Sequence, residues 1–193
     1  MNKSAIPLNR AAVNALMNNN EIVFLMPLKK QPDDDYCDWQ RLHKHSFEFT
    51  QNGFICSRCR KGKNDIGLSD FTSSYSIGNQ YWVKEQYKLT NNNVFYREDS
   101  PYSDGKWNSA SIMPRQYARF FVKVNSIQMK KFDELTDEEI KLANCSSLKE
   151  LRENYDWLRT RHGYKDVIPY VLVLKLQKVT SSQFSVYERN KAS

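Results

Sequence analysis

The cysteines and histidines are the residues whose types and spacing point most directly to chemistry. Cys56 and Cys59 form a Cys-x2-Cys knuckle, which lets two thiolates reach one ion from a tight turn. Cys37 upstream and a histidine between them complete the tetrahedral set that Zn2+ takes in structural sites. His45 is the preferred fourth ligand, because its His-x-Phe context sets an aromatic beside the site, and His43 serves equally. The expectation is one structural Zn2+ held by Cys37, His45, Cys56 and Cys59. Arg58, Arg60, Lys61 and Lys63 follow the ligands closely, either as phosphate contacts or as a solvated charge run.

A second constellation runs from Tyr75 to Glu85. Gly78-Asn79 suits the positive φ of a turn, and the aromatic and β-branched Tyr81-Trp82-Val83 reads as the strand after it. Alternation puts Tyr81, Val83 and Glu85 on one face and Trp82 and Lys84 on the other. Downstream, Arg115 and Arg119 precede and enter another strand. Their guanidiniums fork onto phosphate or a base edge in one reading and pair with nearby acids in the other. Trp107, alone on a loop, is either a stacking platform for a base or a cap on the core edge. Trp82, Lys84, Glu85, Trp107, Arg115 and Arg119 are the candidate residues for binding a nucleic acid or nucleobase. Glu85 and Lys84 make a candidate ion pair.

The elements that must carry these residues follow from periodicity and punctuation. Ala11, Ala12, Ala15 and Leu16 recur at helical spacing over 9–17, with Asn18-Asn19-Asn20 as a stop. Glu21 to Met26 is a buried strand ended by Pro27. The acidic run Asp33-Asp34-Asp35 opens a polar, irregular stretch holding three of the four cysteines, which reads as an insertion over 33–69. Inside it, Phe47, Phe49 and Phe54 around Asn52-Gly53 predict a hairpin leading into the knuckle. Val94 to Arg97 is a strand expected to pair back on Tyr81 to Glu85. Residues 118–124 alternate as a half-buried strand. Thr136 with Glu139, and Ser147 with Glu150, have capping-box spacing and open two helices, the second expected to reach Gly163. His162 near that end is read as a cap favoured by the helix dipole. Ile168 to Leu176 is the most continuous apolar run and predicts a strand buried on both faces. The tail, 181–193, is expected to be loose.

At 193 residues the chain can form one substantial core carrying a small inserted module. Hydrophobic residues at 40% and aromatics at 13% supply enough apolar surface to offset the entropy of ordering the backbone, which argues against disorder. A net charge of +7 favours an anionic partner. Met1 to Asn20 lacks the pattern of a secretion signal and no run approaches a membrane span, so the expectation is a cytoplasmic protein with no membrane contact. No G-x-x-x-x-G-K-[ST] loop, G-x-S-x-G elbow or H-E-x-x-H helix occurs, which removes most support for nucleotide hydrolysis and for serine or zinc-protease chemistry.

Three segments resemble the ASCH domain, a branch of the PUA-like superfamily, in the form found in phage and prophage proteins. Tyr75-Ser-Ile-Gly-Asn-Gln-Tyr-Trp-Val-Lys-Glu85 is similar to that group's Tyr-Gly-x-Gly-Asp-x-Leu-Trp-Val-Arg-Glu signature, with Asn79, Tyr81 and Lys84 as variants. Ile112-Met-Pro-Arg-Gln-Tyr-Ala-Arg119 resembles its Met-Pro-Arg-Trp-Ala-Ser-Arg segment, and Leu135-Thr-Asp-Glu-Glu139 its Ile-Thr-Glu-Glu-Asp helix start. The resemblance implies an α+β fold: a small PUA-like β-barrel with flanking helices over 1–32 and 70–180, interrupted by the zinc-binding insertion. It also implies a cleft for RNA or a modified nucleobase. Some bacterial ASCH proteins hydrolyse acetylated cytidine with a Lys, a Thr and a downstream Glu. With Lys30-Gln31-Pro32 aligned to the end of the family's Gly-x-Lys-Thr-x-Thr-x-Arg segment, its Lys, Thr and Arg positions fall among Glu21, Phe24 and Leu25-Met26, and the downstream Glu near Ala143, so the catalytic Lys and Glu are unmatched.

The resulting expectation is a non-catalytic, phage-encoded protein that binds RNA or DNA, including modified bases. The alternatives are an accessory or counter-defence protein that binds a host protein, and an amidohydrolase or ribonuclease of the ASCH type acting through Glu85.

Overall fold

The computed structural model describes residues 5–27, 47–50, 53–56, 75–91, 93–99, 105–155 and 169–184. Nine strands, three helices and the start of a fourth at 181–184 lie within them. Strand β1 (Ala5–Pro7) leads into helix α1 (Arg10–Asn18), whose start is fixed by Asn9: the side chain accepts a hydrogen bond from the Ala12 N–H at 3.0 Å. Ala12, Val13, Ala15 and Leu16 form its buried stripe. Strand β2 (Glu21–Pro27) follows.

The main sheet is completed by β5 (Gln80–Lys84), β8 (Phe121–Lys131) and β9 (Tyr170–Val179), in the order β1-β5-β8-β9-β2. Only β1 and β5 run parallel. The described strands form an open sheet, and no closed barrel occurs among them, so the fold is α+β with an open five-stranded sheet where a barrel was expected. The long β8–β9 ladder carries a register shift between Val124 and Ser126. An extra residue there bends the strand and raises its local twist.

The sheet has a core on each face. Ile6, Tyr81, Val83, Val122 and Val124 project into the larger one, with α1 and with Ile140, Leu151 and Tyr155 from the helical region. That region comprises α2 (Asp137–Leu142) and α3 (Leu148–Asn154). Thr136 and Glu139 make a reciprocal capping box at the start of α2, and the Ser147 side chain accepts from the Glu150 N–H at the start of α3. Residues 156–168, on which the expected continuation of α3 and His162 fall, lie outside the described residues. The opposite face of β5 supplies Trp82 to a second cluster with Tyr87, Met113 and Phe184.

Two hairpins flank the sheet. β3 (Phe47–Thr50) and β4 (Gly53–Cys56) pair as expected, and β3 lies against β8. β6 (Tyr87–Thr90) and β7 (Asn93–Tyr96) pair with each other. This corrects the expectation that Val94 to Arg97 pairs back on Tyr81 to Glu85, because both edges of β5 are occupied, by β1 and β8. The start of the tail is also ordered. Residues 181–184 make a helical turn and bury Phe184, whose ring lies 4.7 Å from that of Phe121. A large ring that finds an apolar slot recovers more free energy than the ordering of one turn costs. No helix among the described residues is long and apolar enough to cross a membrane.

Candidate nucleic-acid interface

Gly78 begins the site. At φ 84° it closes a turn in which the Asn79 N–H donates to the Ser76 carbonyl, while the Gly78 N–H and the Asn79 carbonyl bond to Val124. The turn therefore sets β5 in register with β8. Tyr81 closes the loop behind it: its hydroxyl accepts from the Ser76 N–H at 3.0 Å, and its ring packs edge-on against Tyr75. Burial, reinforced by the neighbouring Tyr81, pushes the Tyr75 hydroxyl up to about 12.

At the far end of β5, Glu85 is 1% exposed. A buried carboxylate is tolerable only when it is paired and hydrogen-bonded, and Arg119 does both. The guanidinium Nε donates to Oε1 at 2.9 Å and Nη2 to Oε2 at 2.8 Å. Its remaining nitrogen, Nη1, reaches Asp99. The cation also lies 4.1 Å from the Tyr96 ring centre and 4.9 Å from that of Phe120. Burial pushes Glu85 above the ordinary carboxylate value, and the Arg119 hydrogen bonds pull it only part of the way back. For Arg119, burial lowers the value, but the bonds it donates to Glu85 and Asp99 outweigh burial and hold the guanidinium charged.

Arg119 therefore realises the second sequence reading, an arginine paired with nearby acids, and its three nitrogens are engaged within the protein. Lys84 does not pair with Glu85, which corrects that expectation. Its ammonium lies 5.2 Å above the Trp82 ring and donates to the Ser111 carbonyl at 2.8 Å. A carbonyl is a neutral acceptor, and no carboxylate among the described residues pairs with Lys84. Trp82 itself is 9% exposed and gives its ring to the second cluster, leaving little face for a base.

Met113 anchors the segment that carries Arg115. Its side chain is buried in the second cluster, and its sulfur accepts from the Glu85 N–H. Two 3-10 turns flank it, Ala110–Ile112 and Arg115–Tyr117, each preceded by extended backbone. This irregular path turns Ile112 outward, where it is 64% exposed, and lays Arg115 over the Phe184 ring at 5.2 Å. Sequence alternation offers no signal for either placement, since the segment is not a strand. Trp107 is half-buried; its indole Nε1 is enclosed and has no hydrogen-bond partner among the described residues. The structure thus brings Lys84 and Arg115 onto rings of one cluster and puts Glu85 and Arg119 together beneath it.

Of the expected zinc ligands, Cys56 is buried at the end of β4. Cys37, His43, His45 and Cys59 lie outside the described residues, among which no group of side chains is arranged to hold a metal.

No family model matches the chain. No curated protein and no solved structure matches it either.

Proposed function

We propose that this chain is a non-catalytic nucleic-acid-binding module of PUA-like build, and that Lys84 and Arg115 supply its phosphate contacts. The observation that carries this reading is the placement of those two cations: each sits on an aromatic ring of the same apolar cluster, beside the exposed Ile112. A ring under a cation fixes where the charge stands, and the net charge of +7 has the sign that draws a polyanion.

The same geometry speaks against chemistry at Glu85. A general base must reach a substrate proton, and this carboxylate has both oxygens on Arg119 and almost no exposed surface. The inserted segment is proposed to hold one structural Zn2+ on Cys37, His45, Cys56 and Cys59, a reading supported by the hairpin that delivers Cys56. The test is binding of RNA at increasing salt: affinity falls steeply with ionic strength if phosphate contacts dominate, and stays level if they do not.

A further inference from the structure

The β6–β7 hairpin presents two faces, and only one has a role in packing. Tyr87, Val94 and Tyr96 turn inward to the second cluster, and the Tyr96 hydroxyl donates to the Tyr117 carbonyl at 2.7 Å. Because directly paired residues share a face, the register puts Lys88 opposite Phe95 on the other side, with Thr90 opposite Asn93 beyond them. Phe95 is 49% exposed there, so its ring is open to a partner.

Among the described residues, the charges nearest that ring that lack an ionic partner are cations. Lys88 stands across the ladder, and Arg97 follows the end of β7, opening the 3-10 turn Arg97–Asp99. The Arg97 guanidinium is held by a neutral partner, the Gln86 side-chain carbonyl, and its N–H bonds the Gln86 backbone carbonyl. The two acids that follow are engaged elsewhere: Glu98 pairs with Arg10, and Asp99 with Arg119. No carboxylate among the described residues pairs with Lys88 or Arg97. A bridge between Tyr87 and Asn108 runs the 105–108 segment beside β6, bringing exposed Lys106 to the same neighbourhood.

We infer that the outward face of this hairpin is a stacking platform for an unpaired base, with Phe95 taking the base and Lys88 and Arg97 the flanking phosphates. The ligand it selects is single-stranded nucleic acid, because a base inside a duplex cannot offer its face to the ring. An apolar protein segment would match the exposed phenyl but not the cations on both sides of it, whereas a nucleotide matches both. The inference rests on the nucleic-acid reading above and names its ligand class.

The experiment compares the whole chain with its Phe95→Ala, Phe95→Trp and Lys84→Ala variants. The probes are a short single-stranded RNA containing 2-aminopurine and the duplex of the same sequence. Phe95→Ala is expected to weaken single-strand binding about tenfold and to abolish the quenching of 2-aminopurine, while leaving duplex binding and the melting temperature unchanged. Phe95→Trp should retain both signals. If Phe95→Ala binds the single strand as the parent does while Lys84→Ala weakens it, the platform is overturned and the phosphate site stands. If the parent binds neither probe, the nucleic-acid reading falls and the platform with it. Loss of a protein partner on Phe95→Ala, with RNA affinity intact, also overturns the platform.

Discussion

Arg119 grips Glu85 by two parallel hydrogen bonds of 2.9 and 2.8 Å, across a sequence separation of 34 residues. The pair joins the end of β5 to the entry of β8, and the third guanidinium nitrogen ties both to Asp99. It is a structural clamp beneath the surface that carries Lys84 and Arg115.

Breaking the clamp from one side leaves a charge enclosed without its partner. Glu85→Leu should destabilise the protein by about 3 kcal/mol, and Arg119→Met by a comparable amount. The double variant should cost much less than the two together, because no enclosed charge remains and Asp99, the other partner of Arg119, is half exposed. Urea unfolding of all four proteins checks this. Additive losses would show that the two residues act independently.

Phe184 closes the second cluster from the tail. Phe184→Ala should cost about 3–5 kcal/mol and open the pocket around Trp82, shifting tryptophan emission to the red. A chain ending at Val179 should give the same shift. Emission unchanged in both variants would mean that this turn does not cover Trp82.

Glu139 gives the pH dependence a definite sign. Burial raises its carboxyl, but Lys130 Nζ at 2.7 Å and the Thr136 N–H at 2.9 Å outweigh burial and set it below the ordinary 4.5. The unfolded chain therefore takes up the proton first as pH falls. The contribution is full above about pH 4.5 and is lost as pH drops through the folded value. Glu139→Gln should lower stability by about 1 kcal/mol at neutral pH, with the gap closing in acid. A gap that widens in acid would reverse the assignment.

What was legible in the sequence was local. Thr136 with Glu139, and Ser147 with Glu150, act within a single helical turn, so two helix starts follow from spacing alone. The apolar run ending at Leu176 needs no partner to declare itself buried, and it is an inner strand of the sheet. Strand partners are another matter. Val94 to Tyr96 pairs with Tyr87 to Thr90 because β5 is already flanked by β1 and β8, and no residue near Val94 reports that. The error over Lys84 and Glu85 was avoidable. Neighbours on a strand point to opposite faces, so they cannot pair, and the carboxylate had to find its cation on another element. Phe184 stood alone in a polar tail, where nothing in the sequence names the slot it fills.

For the inserted segment, the expectation is about one equivalent of zinc per chain, lost when Cys56→Ser and Cys59→Ser are combined. Metal analysis and unfolding with a chelator check it together, since a structural site couples metal to folding. A metal-free chain that melts unchanged contradicts it.

The central claim is that Lys84 and Arg115 hold phosphate. The most direct measurement is the slope of log affinity against log salt for single-stranded RNA, in the parent, Lys84→Ala and Arg115→Ala. Each substitution should make the slope shallower by about 0.7, the contribution of one single-strand phosphate contact, without changing the fold. Slopes that stay at the parent value in both variants, or an affinity indifferent to salt, would contradict the account.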